Sequence, residues 1–164
     1  MNPTRALYVA STASLVIYII AAIWYAVPWL RRVGRATALV PLLWVHAFRH
    51  VAMQVFSAQR AGFAIPDSLR DQIAYGDLIG MALSVAVILA LHARARVAIP
   101  LTWLFVLATI ADLLNAAIGG MNGMLERANG VTWLILVFYV PALWVTLGLV
   151  LWQLVTRRGE ALDL

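Results

Sequence analysis

Five apolar runs occupy most of the chain, at residues 7–30, 36–56, 71–92, 97–119 and 131–156, and only short connections lie between them. Each run is roughly 20 residues or more. At 1.5 Å per residue a helix of that length crosses a hydrocarbon core of about 30 Å. Spanning structures must satisfy their own backbone hydrogen bonds, so runs of this kind fold as helices. The sequence therefore predicts an all-α, polytopic transmembrane bundle of five helices, a single domain over residues 1–164.

Composition excludes the main alternative. Of 164 residues, 64% are hydrophobic and 12% charged, and mean hydropathy is +0.90. A soluble domain carries about 25% charged residues, and one of this size has no way to hide so much apolar surface. The first run is longer than the apolar stretch of a signal peptide, and its positive cluster follows it, so it reads as a retained helix. There is no cysteine, which excludes thiolate metal sites, disulfides and cysteine nucleophiles. The formal charge of +5 comes from arginines without a single lysine. They flank the apolar runs, where they set orientation, and no nucleic-acid partner is expected.

Arg31, Arg32, Arg35, Arg94, Arg96, Arg157 and Arg158 fall on one side, and Arg5, Arg60, Arg70 and Arg127 on the other. The positive-inside rule then places the N-terminus outside and the C-terminus in the cytoplasm. Trp24, Trp29 and Trp152 lie near the inner interface and Trp133 near the outer one, as an aromatic belt would. Ser68-Leu69-Arg70-Asp71 resembles a capping box that opens the third helix. Pro141 is expected to kink the fifth. The 57–67 connection is the longest and is expected to fold over the outer mouth. Gly119-Gly120 and Asn129-Gly130 bracket an outer loop in which Glu126 and Arg127 form a solvated pair. Glu160 and Asp163 belong to a frayed tail.

Polar residues inside the spans are few and fall at matching depths. Counted from the inner edge at 1.5 Å per residue, His46 lies at roughly 15 Å and Arg49 and His50 at about 20 Å. Asp77 and Asp112 lie at about 22 Å, Gln54 and Asn115 at about 27 Å. Three helices thus supply charged groups at one level, with Tyr139 of the fifth at similar depth. Ionisable groups at membrane depth face the bundle interior and mark functional sites. The expected site is outward-facing and binds a metal ion or a small polar ligand. His46 and His50, four apart on one helix face, with Asp77 and Asp112, form the expected metal set; Arg49, Gln54, Asn115 and Tyr139 are the expected ligand-binding residues. Two imidazoles and two carboxylates suit Zn²⁺, Fe²⁺ or Mn²⁺ better than Cu(I). Haem fits less well, because two histidines on one face cannot take both axial positions. Positions 47 and 48 are Ala and Phe, so the zinc-protease motif is absent.

Other readings use the same residues. Arg49 pairing with Asp77 or Asp112 makes a purely structural core, as in an accessory subunit of a larger membrane complex. A relay through the acids and histidines makes a small proton- or ion-coupled transporter, although no internal repeat supports one. Arg49 is also able to hold an organic anion. Nothing in the spacing of these residues decides for or against catalysis. Gly76, Gly80 and Ser84 form a small-residue stripe suited to close helix packing, within the chain or across a homodimer. The His46-Ala47-Phe48-Arg49-His50 stretch, with Gly76-Asp77-Leu78 and Ala111-Asp112-Leu113, resembles small bacterial membrane proteins. That resemblance implies a bacterial inner (cytoplasmic) membrane and no particular activity. The order of Trp and Pro does not match the tryptophan-rich sensory protein, which has the same helix number.

Overall fold

The computed structural model describes residues 2–119, 128 and 130–160. Among these, five helices are long and apolar enough to cross a membrane: α1 Pro3–Leu30, α2 Arg35–Arg60, α3 Asp67–His92, α4 Ala98–Gly119 and α5 Gly130–Thr156. The protein is a multi-span membrane protein. Helices α2, α3, α4 and α5 form a ring in which each packs on its two neighbours, and α1 lies outside it, chiefly against α5.

Lipid tails are as apolar as leucine, so helices in a bilayer associate through close packing of small residues. Ala36, Ala38, Ala47, Ala74, Gly80, Ser84 and Ala98 are all buried at helix contacts. In one half of the ring Leu39, Leu43, Val87, Leu91, Phe105, Val150 and Leu154 close the interior as a mainly apolar plug, with Thr102 and Gln153 among the buried polar side chains of that half. The opposite half, which holds the 61–66 connection, contains the polar layer.

Three of the five helices depart from regular α geometry, and two of the departures share a local setting that Val40-Pro41, in regular α-helix in α2, does not reproduce. α1 widens to a π-helix over Ala22–Ala26 and α5 over Ile135–Tyr139. Both segments run into a Val-Pro pair, Val27-Pro28 and Val140-Pro141. A proline lacks the N–H for the carbonyl four residues back and its ring crowds that carbonyl. The wider turn relieves the crowding, and the valine N–H donates to the carbonyl five back, Ala22 in α1 and Ile135 in α5. The expected disturbance at Pro141 is therefore a π segment, and Pro28 produces a second one that sequence reasoning missed. α2 tightens to a 3₁₀-helix over Phe48–Met53.

The helix ends differ from expectation in two places. α3 starts at Asp67, with Pro66 before it and no side-chain cap. The Ser68 capping box does not form; Asp67 Oδ1 instead accepts from Gln59 Nε2 and Arg70 Nη1, each at 2.8 Å. The expected frayed tail is also pinned at Glu160. Its carboxylate accepts from the Arg35 N–H at 3.2 Å and pairs with Arg157. The hydrogen bond from Arg157 holds the Glu160 carboxyl below its ordinary range, with the charges of Arg157 and Arg35 helping and desolvation opposing. Arg157 also donates to the carbonyls of Leu30 and Val33, at 3.2 and 2.9 Å, and so ties the end of α5 to the α1–α2 turn. The Gly119-Gly120 and Asn129-Gly130 brackets, the Glu126–Arg127 pair and Asp163 lie wholly or partly outside the described residues.

Candidate functional site: a carboxylate-floored cavity

Arg49 organises the polar layer. Its side chain is fully buried, and Nε donates to Asp77 Oδ1 at 2.6 Å. Nη2 pairs with Asp112 Oδ2, and Nη1 reaches Thr109 Oγ1 at 3.4 Å. One guanidinium from α2 thus bridges a carboxylate from α3 and a carboxylate from α4. A buried charge requires such pairing, since removing one partner leaves an uncompensated charge in low dielectric. The layer converges because α3 offers no side chains in the way. A Cβ on Gly80 would come within 2.5 Å of Arg49 Nη1 and 2.7 Å of Cζ, and one on Gly76 would overlap Asp112 Oδ1. The Gly76, Gly80 and Ser84 stripe is therefore covered by the chain's own α2 and α4. Of the two uses the sequence allows for this stripe, packing within the chain is the one seen: Gly80 and Ser84 are buried inside one chain.

Above the ion pairs, towards the 61–66 connection, lies a cavity of about 220 Å³. The carboxylates face it: the side chains of Asp77 and Asp112 keep 17% and 21% of their accessibility, against 0% for Arg49. The walls are mostly apolar and come from all five helices, with Leu7 and Tyr8 of α1, Ala52 and Val55 of α2, Ala116 of α4 and Trp144 of α5 among them. Phe63 and Ile65 of the 61–66 connection are buried, pack on Val55 and Ala74, and form part of the wall, so this segment folds over the end of the bundle. Gln59 Nε2 holds it there by donating to the Ile65 carbonyl at 2.9 Å.

The sequence-predicted residues divide into two groups. Gln54 and Tyr139 line the cavity beside Asp77 and Asp112. Gln54 Nε2 donates to Thr132 Oγ1 at 3.0 Å, and Tyr139 Oη donates to the Val45 carbonyl at 2.7 Å. Arg49 lies behind the carboxylates and does not line the cavity. Asn115 is exposed on α4, away from it. His46 is fully buried, with Phe105 edge-on at 5.0 Å. Thr146 donates its hydroxyl proton to Ala142 O at 2.7 Å, and its oxygen lies 3.1 Å from His46 Nε2. His50 is exposed, with Nδ1 3.3 Å from Ala47 O.

The two histidines are parted by the helix between them. Four residues turn an α-helix about 400°, which leaves an offset of about 40°, but a 3₁₀-helix about 480°. Winding tightens at Phe48, so His46 points inward and His50 outward. The expected set of His46, His50, Asp77 and Asp112 is not gathered. Among the described residues no group of three or more His, Cys, Asp or Glu side chains is placed to hold a metal ion. The cavity walls that sequence reasoning missed, Phe63, Ile65 and Trp144, carry no signal beyond their apolar character.

A family model matches residues 6–155. The chain belongs to the family described as Domain of unknown function (DUF8737). The matched region of this DUF8737 protein takes in Arg49, both carboxylates and every residue of the cavity wall, and it ends before Arg157 and Glu160. No curated protein and no solved structure matches the chain.

Proposed function

We propose that this protein binds a small, mainly apolar molecule within the membrane, whose polar end meets Asp77 and Asp112. The observation that carries the reading is the cavity of about 220 Å³, apolar on its walls and floored by two carboxylates. Ligand sites have this character: apolar lining with a few convergent polar groups that fix orientation. The volume sets the scale. A cavity of about 150 Å³ accommodates benzene, so this one suits a ligand of roughly nine non-hydrogen atoms. The apolar plug below the ion pairs favours a binding protein over a carrier with a path through the bundle. The arginine distribution supports an N-terminus outside, a C-terminus in the cytoplasm and a cavity at the outer end of a bacterial cytoplasmic membrane.

The test is equilibrium binding of 2-phenylethanol, a neutral probe of nine non-hydrogen atoms, to purified protein in detergent. One saturable site per chain is expected, and Ala116→Phe, which fills the cavity from α4, is expected to abolish it. Thermal unfolding of that variant checks that it is folded. Binding that is non-saturable, or unchanged in the folded variant, would sink the reading.

A further inference from the structure

Among the described residues, the charges on the floor of the cavity do not balance. Among the described residues, the cation on Asp77 and Asp112 is Arg49, and it serves both. With both acids ionised, two negative charges face one positive charge. The positive charge is also in the wrong place to greet a ligand. Arg49 is fully buried behind the carboxylates, and its Nε, Nη1 and Nη2 are engaged with Asp77, Thr109 and Asp112. His46, one turn away on α2, is turned to Thr146 of α5, and His50 is exposed on the outside of α2. An incoming molecule therefore meets the carboxylates first, and Arg49 is not available to receive an anion.

Each carboxylate gives one oxygen to Arg49, leaving Asp77 Oδ2 and Asp112 Oδ1 without a protein donor among the described residues. The walls add aromatic groups, Tyr8, Phe63, Tyr139 and Trp144. Aromatic faces attract cations through their quadrupole, more strongly where water is excluded. An apolar cavity with a net negative floor and aromatic walls has one complementary charge class.

We propose that the ligand of this cavity is a lipophilic monocation, a protonated amine on an apolar body about the size of one aromatic ring, with its ammonium against Asp77 and Asp112. The inference rests on the ligand-binding reading above and adds the charge class to it. It replaces the anion that the sequence allowed Arg49 to hold.

Three probes that differ little except in charge test it on the intact protein in detergent: 2-phenylethylammonium, 2-phenylethanol and phenylacetate. The ammonium is expected to bind at least about tenfold tighter than the alcohol, because attraction between unit charges a few ångströms apart is strong where solvent is scarce. Phenylacetate is expected to bind weaker than either. Asp77→Asn, which leaves one carboxylate against one guanidinium, is expected to bring the ammonium-to-alcohol ratio close to one, whichever way the absolute affinities move. If that variant fails to fold, Asp112→Asn makes the same test, and the wild-type series is decisive by itself. Equal binding of ammonium and alcohol would overturn the charge assignment and leave the binding site standing. Preference for phenylacetate would overturn it in favour of Arg49 as an anion receptor. No saturable binding of any probe would overturn both the inference and the reading on which it rests.

Discussion

Arg49 holds the bundle together at the level where a mistake is most expensive. It is a permanent charge with no exposure, so its two carboxylates and the space it occupies must all be in place. That space is provided by a glycine. A methyl group at position 80 would lie 2.7 Å from the guanidinium carbon, and the guanidinium has no room to yield without leaving Asp77 or Asp112. Gly80→Ala is therefore expected to destabilise by about 1–3 kcal/mol, as overpacking does. Gly148→Ala, at an exposed site with nothing within 4 Å, is the control and is expected to be neutral or mildly stabilising. Unfolding midpoints of the two variants in the same detergent compare them directly. Equal midpoints would mean that α3 does not pack tightly on the Arg49 guanidinium.

At the scale of the helix, what the sequence reveals and what it conceals have physical reasons. Depth along a helix depends on residue count, so Arg49, Asp77 and Asp112 are recognisable as one layer from the sequence alone. Direction around a helix depends on winding, and winding changes twice near the site. The 3₁₀ segment Phe48–Met53 turns His50 out of the layer, and no residue in that stretch announces it. Both π segments run into a Val-Pro pair, but Val40-Pro41 of α2 stays in regular α-helix, so the pair alone does not mark them, and sequence reasoning expects a disturbance only at Pro141. The cavity itself is illegible in the sequence, because small residues such as Ala52 and Ala116 make room without leaving a pattern. The π segment of α5 also positions Tyr139, whose hydroxyl reaches the Val45 carbonyl on α2. Tyr139→Phe is expected to cost about 1 kcal/mol, the usual net value of such a bond. Pro141→Ala restores the missing N–H and removes the reason for the wide turn. If the π segment sets the reach of Tyr139, then Tyr139→Phe costs almost nothing in the Pro141→Ala background. An undiminished cost there, read from unfolding midpoints of the four proteins, would show that the wide turn and the hydrogen bond are independent.

For the whole molecule, the orientation in the bilayer decides which compartment would supply the proposed ligand. The cavity lies at the end where α2 finishes and α3 begins, under Phe63 and Ile65. The other end carries Arg31, Arg32, Arg94, Arg96, Arg157 and Arg158, seven arginines with Arg35. Arginines near the ends of spans favour the cytoplasmic side, and the proposed orientation, with the cavity end outside, rests on that bias. The absence of cysteine makes the question clean, because any engineered thiol is the only one in the chain. Ala64 is exposed in the 61–66 connection and Ala93 is exposed just after α3, at opposite ends of that helix. A membrane-impermeant maleimide added to intact cells is expected to label Ala64→Cys. Ala93→Cys is expected to react only after the membrane is permeabilised. The reverse pattern would turn the cavity to the cytoplasm. It would also mean that one face of the bundle with seven arginines is held outside against the usual bias, which would require a cytoplasmic source for any ammonium ligand. Labelling of both positions in intact cells would contradict a fixed span for α3, since its 26 residues are the barrier between the two thiols.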